Sequence, residues 1–510
     1  MRTRGTRTPP KTPEPIFEFQ ADSRTIKRSA FHSVLLQVFL RLKGVITLPL
    51  ITYLMMPEEL GVFNLIVNTA SFFVPLLTLN LTDGPVLYFV RETDKGRLSH
   101  MYSTVFNATF LSSAAGFLVI YALMRFVPSL GTLKPYFFSC ILMYMSLHLF
   151  KVTSYVLVIY QKTDRMIYYS AWNELGGVAL GLLLVWRGLS YKGLVAGNLV
   201  AAVLVATWLF RLFLKEIRYY PRVNLDYFRQ FLAISLPLLP VFIFSWIMQS
   251  LDSYFLAFYQ GTEAVGQYAV IYSICRIILA TSMALNFFWY PVSVKLWQEA
   301  REKYLHYFKL LVSGGLPLLL LILLLFEANS RLLVFVFARK PEYQTIYPYL
   351  SLIAFAFVMQ VMITIVTAPL YANENPRWIF LANFSGGALK LLLNLALIPR
   401  YGLWGASIST ALSYLLVVAI LTYATYRVCR FPFLEKRCLS AASVALLVWA
   451  ALFVSRDRLA VASGLWLSAV LSLLLPALAY LFYMRPEERV FLKELRYRLL
   501  KTLEGDRAPP

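Results

Sequence analysis

Residues 57–82 read PEELGVFNLIVNTASFFVPLLTLNLT, an apolar run long enough to cross a bilayer that opens on Pro57, Glu58, Glu59 and Gly61. Within it Asn64, Asn68, Ser71, Pro75, Thr78 and Thr82 recur at alternating steps of four and three, which places them on one face of a helix. A helix bathed in lipid on every side would not carry such a stripe. The opening Glu58-x-x-Gly61-x-Phe63 returns as Glu263-x-x-Gly266-x-Tyr268. Two more pairs keep nearly the same period: Asn173, Gly176 and Gly177 against Asn383, Gly386 and Gly387, and Gly193-Leu194 against Gly402-Leu403. Periods of 205 to 210 residues read as two six-helix halves. An even number of spans separates the copies, so the halves share one orientation about an axis along the membrane normal.

Outward from that stretch, the chain of 510 residues is 59% apolar, with a mean hydropathy of +0.64. At about 20 residues per span, that apolar content fills roughly twelve to fifteen helices and leaves no room for a large soluble domain. Windows bounded by charge, Pro or Gly fall near 32–55, 62–82, 101–125, 136–160, 166–186, 193–214 and 231–258. Seven more fall near 265–290, 306–326, 346–371, 378–398, 403–426, 438–455 and 460–483. The expected architecture is an all-α polytopic membrane protein of about fourteen transmembrane helices. It divides into a disordered basic tail (1–29), an N-terminal bundle (30–220), a C-terminal bundle (221–430), two additional helices (431–485) and a basic tail (486–510).

The net charge of +22 needs a topological reading before a chemical one. Of 48 Lys and Arg, 31 fall in the two tails and the even-numbered loops, 9 in the odd-numbered loops and 8 within spans. Basic loops mark the cytoplasmic side. Both termini are therefore expected in the cytoplasm, and the basicity answers anionic lipid headgroups rather than nucleic acid. The first residues hold no apolar core, so the first span serves as the insertion signal. Cys140, Cys275, Cys429 and Cys438 form no CxxC pair, which supports neither a disulfide framework nor a metal site.

Charges inside spans carry the functional reading, because each costs about 2.5–3.5 kcal/mol at bilayer depth and needs water or a partner. Gln37, Arg41 and Gly44 share a narrow arc of the first span, with Lys43 pointing nearly opposite. The fourth span aligns Tyr144, His148, Lys151 and Tyr155; the eighth, Tyr268, Tyr272, Arg276 and Tyr290; the eleventh, Asn383, Gly387, Lys390 and Asn394. Arg41, Arg276, Lys390 and Lys151 are the candidate anion-binding cations, with Asn383, Asn394, Tyr272 and Asn68 as further substrate-binding candidates. Asp252, Glu174 and Asp83 are the intramembrane acids, each a coupling-ion site or a structural partner for a cation. Snorkelling and ion pairing are the bland alternative for every cation, and close helix packing for the paired glycines.

Missing signals narrow the classes. The chain has no Gly-Lys dipeptide, hence no P-loop, and no HExxH or DxD motif. No long extramembrane loop offers a catalytic site, so neither an enzyme nor a cofactor is expected.

The segments Leu48-Pro49 through Phe63, Ser235-Leu236-Pro237 through Leu251-Asp252-Ser253-Tyr254-Phe255 to Tyr268, and Tyr401-Gly402-Leu403-Trp404-Gly405-Ala406 carry a resemblance. They resemble the polysaccharide transporter (O-antigen flippase-like) family of the multidrug, oligosaccharidyl-lipid and polysaccharide exporter superfamily. The resemblance implies twelve core helices in two bundles. It also implies alternating access of a cationic cavity to a lipid-linked (undecaprenyl-pyrophosphate) oligosaccharide, flipped from the cytoplasmic to the outer leaflet of a bacterial or archaeal cell membrane for cell-surface polysaccharide biosynthesis. Membrane lipids, and glycan polymerases or glycosyltransferases, are the partners it implies. One departure is Asp252-Ser253, where the family often has Asp-Arg. A multidrug cation antiporter of the same superfamily, a membrane polymerase or ligase of lipid-linked glycans, and a scaffold for glycan synthesis are the competing readings.

Overall fold

A computed structural model describes residues 44, 46–82, 85, 88–89, 92, 94–126, 134–159, 163–216, 218–373, 375, 377–430 and 436–455. Among them every regular element is helical. The N-terminal half contains α1 (46–54), α2 (Pro57–Leu77), α3 (Lys95–Phe126), α4 (Lys134–Ile159), α5 (Thr163–Leu184) and α6 (Ser190–Glu216). The C-terminal half contains α7 (Leu225–Gln260), α8 (Thr262–Cys275), α9 (Leu279–Glu299), α10 (Arg301–Ala328), the short α11 (Ser330–Phe337), α12 (Tyr347–Ala372), α13 (Arg377–Tyr401) and α14 (Leu403–Cys429). α15 (Lys436–Ser455) follows. Ten described helical stretches are long and apolar enough to cross a membrane, and one of them, Tyr168–Arg211, runs α5 and α6 together. The second to twelfth expected spans are thus present. The fourteenth lies outside the described residues, as does most of the first.

Local chemistry sets the helix ends. Pro57 occupies the first helical position of α2, and the Glu59 carboxylate accepts a hydrogen bond from the Met56 amide at 3.0 Å. Asn224 caps α7 by accepting from the amides of Asp226 and Tyr227 at 3.0 and 3.3 Å. Between α5 and α6 the chain turns through a π-helical segment, Val185–Leu189, in which Gly188 has φ +91°. Gly402, at φ +52°, makes the corresponding turn between α13 and α14. Ser190, at φ +51° and ψ −144°, holds the place at the start of α6 that Gly402, at ψ −124°, holds before α14, an angle pair that glycine takes without strain. The Gly193–Gly402 match therefore does not pair equivalent positions. Gly193 lies inside α6 against Leu184 and Val185, and its counterpart is Gly405, packed on Leu397.

Packing repeats between the halves. The most extensive helix pairs are α5 with α6 and α13 with α14, the same adjacent spans in each bundle. A Cβ on Gly197 of α6 would lie 2.2 Å from the Gly181 nitrogen of α5, so these helices meet backbone to backbone. α12 forms the core of the C-terminal half: Leu350, Ile353, Phe357, Val361 and Ile365 are buried among α8, α9, α10 and α14. The exposed apolar surface, including Leu118, Phe138, Trp172, Leu204 and Leu447, is the face that lipid covers.

Candidate functional site

Where α7, α8, α13 and α14 converge, the structure buries a closed polar network. Asp252 of α7 and Lys390 of α13 are both 0% exposed, with Lys390 Nζ 2.8 Å from Asp252 Oδ2. Lys390 also donates to the Met248 carbonyl one turn earlier on α7. The carboxylate accepts from Asn394 Nδ2 at 2.7 Å, from the Tyr268 hydroxyl at 2.7 Å and from Thr410 Oγ1 at 2.9 Å. Two oxygens thus take four donors, and the ammonium is neutralised. In hydrocarbon an unpaired charge is costly, which is why Lys390, Asn394, Tyr268 and Thr410 all converge on the Asp252 carboxylate.

This geometry places the sequence candidates. Lys390 and Asn394 come together as expected from their shared face, but that face packs on α7, and both side chains engage Asp252. The Asp252 carboxylate, which lacks the adjacent arginine, takes its cation from another helix. Tyr272 lies beside the network, its ring 4.8 Å from that of Tyr268 in a tilted arrangement and 5.2 Å from that of Phe357 edge to face. Asn383 bonds within its own helix, donating to the Ile379 carbonyl at 2.8 Å. Thr410 and the Met248 carbonyl are participants absent from the sequence candidates, and Tyr268 belongs to the polar stripe of the eighth span. Tyr268 stood in the repeated motif; Thr410 stands in the run Ser407, Ser409, Thr410, Ser413 along α14, a signal of a polar helix face.

The α2 stripe has an equally specific destination. Asn68 Nδ2 donates to Asn64 Oδ1 at 2.9 Å and to Ser253 Oγ at 3.3 Å, and Asn68 Oδ1 accepts from Ser250 at 3.5 Å. Trp246 Nε1 donates to the Asn68 carbonyl at 3.1 Å, and the Thr69 and Tyr254 hydroxyls lie 2.7 Å apart. Asn68 is a junction between the two halves. Replacing it with leucine leaves Ser250 without its partner and Ser253 with Asn64 alone, so Asn68→Leu is expected to lower stability by about 1–2 kcal/mol in a detergent melt.

Of the remaining cations, Arg276 is exposed where the eighth span tightens from α8 through a short 3₁₀ turn, Arg276–Ile278, into α9, with helical dihedrals on either side. Lys151 on α4 is half-buried. One turn earlier His148 is 2% exposed between the rings of Phe110 and Tyr144, and neither imidazole nitrogen has a hydrogen-bond partner. Glu174 of α5 is half-buried. Arg41 and Asp83 lie outside the described residues. Among the described residues, Lys390 is held by Asp252 inside the C-terminal half, and Arg276 is exposed where the eighth span tightens. No group of His, Cys, Asp and Glu suited to a metal ion occurs among the described residues.

Comparison with known proteins sets this geometry in context. The sequence profile of a family described as "Polysaccharide biosynthesis protein" matches residues 26–297. A curated relative, the uncharacterized membrane protein MJ1068 of Methanocaldococcus jannaschii, is 22% identical over 201 residues, and the match spans 38% of either chain. The fold is similar to that of the lipid II flippase MurJ in an inward closed conformation, with a TM-score of 0.69 and 14% identity over 88% of this chain and 98% of that one. It is also similar to that of the MATE multidrug transporter DinF-BH, with a TM-score of 0.55 and 14% identity over 80% and 96% of the two chains.

Proposed function

The chain belongs to the polysaccharide biosynthesis protein family, and from that premise we propose that it translocates a lipid-linked oligosaccharide, of the undecaprenyl-pyrophosphate class, from the cytoplasmic to the outer leaflet of the cell membrane. The observation that carries this reading is Arg276, an exposed arginine where a membrane span tightens into a 3₁₀ turn partway along its length. A 3₁₀ stretch inside a long helix is a common mark of a functional hinge. Arginine suits the paired, planar acceptors of a pyrophosphate. The protein lowers the desolvation barrier for that head while the prenyl chain stays in lipid, and no covalent step is needed. Membrane lipids are its surroundings, and the glycosyltransferases or polymerases that build and extend the glycan are its functional neighbours. Cytoplasmic termini follow from the distribution of basic loops.

An antiporter for cationic drugs needs an accessible acid in the bundle. Asp252 does not serve, because Lys390, Asn394, Tyr268 and Thr410 saturate it. The test is reconstitution in proteoliposomes with a fluorescent undecaprenyl-pyrophosphate oligosaccharide, following its loss from one leaflet with a membrane-impermeant quencher. Protein-dependent loss is expected. Movement of a cationic dye with no movement of the glycan would reverse the assignment.

A further inference from the structure

Pro57 and Thr262 hold the same place in the two copies of the repeated motif, as do Gly61 and Gly266. The structure brings the copies into contact with each other. A Cβ on Gly61 would lie 1.8 Å from the Thr262 carbonyl oxygen, and a Cβ on Gly266 would lie 1.8 Å from the Pro57 carbonyl oxygen. Each glycine thus faces, in the other copy, the residue four positions before its equivalent. Such reciprocity defines a contact about a two-fold axis, here between two halves of one chain. At these distances nothing larger than a hydrogen fits, and the Cα–H groups meet the carbonyls directly.

The surrounding contacts cross between the same halves. Thr52 Oγ1, fully buried, donates to the Phe337 carbonyl at 2.9 Å and accepts from the Arg339 amide at 3.2 Å. The Tyr343 hydroxyl donates to the Met55 carbonyl at 3.4 Å. Deeper along α2, the Asn64–Asn68 ladder and the Thr69–Tyr254 pair continue the seam onto α7. Hydrogen bonds of this kind are individually weak and exchangeable, which suits a contact that must open.

We propose that the two motif copies form the closing element between the bundles, with glycine at 61 and 266 setting how tightly they shut; this rests on the translocator reading and extends it. The α1–α2 and α7–α8 turns are the closed end, on the outer face if the basic loops mark the cytoplasm. Any side chain at either glycine acts as a wedge.

The test places spin labels at Glu58→Cys and Glu263→Cys, equivalent exposed positions on the two copies, after replacing Cys140, Cys275, Cys429 and Cys438 with alanine. In nanodiscs a short label separation is expected. Gly61→Leu and Gly266→Leu should each lengthen it by about 3 Å or more, since helices separated by ordinary side chains sit about 8–10 Å apart. An unchanged separation in leucine variants that elute as folded monodisperse protein overturns the proposal. Should neither variant fold, the glycine-bearing parent still decides. Asn64→Cys with Ser253→Cys should form a disulfide rapidly under a catalytic oxidant, several-fold more slowly with Gly61→Ala added, and no cross-link in the parent overturns the proposal. Neither readout needs a glycan. A lengthened separation with no glycan translocation removes the transport reading and leaves the closing element standing.

Discussion

Lys390→Met is expected to destabilise the protein by roughly 3–5 kcal/mol, because it leaves the Asp252 carboxylate buried without its cation. Three neutral donors, Asn394, Tyr268 and Thr410, remain on the carboxylate and keep the loss below the full cost of an isolated charge. Asp252→Asn should be comparably harmful, since it strands the ammonium at 0% exposure. The double variant Lys390→Met with Asp252→Asn removes both charges and keeps an acceptor at position 252. It should recover at least half of the loss, a coupling that thermal unfolding of all four proteins in detergent reads directly. A Lys390→Met protein as stable as the parent but defective in glycan binding would return Lys390 to the role of a substrate cation.

The second large effect falls on transport. Arg276→Ala should lower glycan translocation by about 10- to 150-fold, the equivalent of losing a charge-assisted hydrogen bond of about 1.5–3 kcal/mol to a pyrophosphate. Membrane abundance and a monodisperse elution profile are the controls that separate a transport defect from a loss of fold. Arg276→Lys keeps the charge without the fork and should fall between the two. Equal translocation by the parent and Arg276→Ala in the proteoliposome assay would remove the residue on which the proposed function rests.

The contrast between these two cations marks what the sequence can and cannot supply. Apolar run length located the spans from α2 to α14, because hydrocarbon thickness fixes how long an apolar helix must be. The period of a polar stripe located the buried face of α13 and the ladder face of α2, because helix geometry fixes which side chains share a direction. It did not say what lies opposite. The polar face of Lys390 and Asn394 suits a lumen but is covered by α7, and the polar face of α2 likewise meets α7, Asn68 on Ser250 and Ser253 and Thr69 on Tyr254. Partners far apart in the chain leave no local trace, and Thr410, which completes the Asp252 site, has no spacing that ties it to α7. The 3₁₀ tightening at Arg276 is also silent in the sequence, for neither glycine nor proline occurs from Cys275 to Leu279. The motif repeat was legible as a pair of copies, but not as a pair in contact.

That contact bears on how a duplicated chain can change with time. Once two copies of a segment are fused and diverge, most positions drift apart freely, because each answers only to its own surroundings. Where the copies are each other's surroundings, a larger residue gained by one strikes the backbone of the other, so neither can wander alone. The reciprocal approach of Gly61 and Gly266 thus accounts for the kinship of the halves staying readable at this seam, even where their remaining letters have parted.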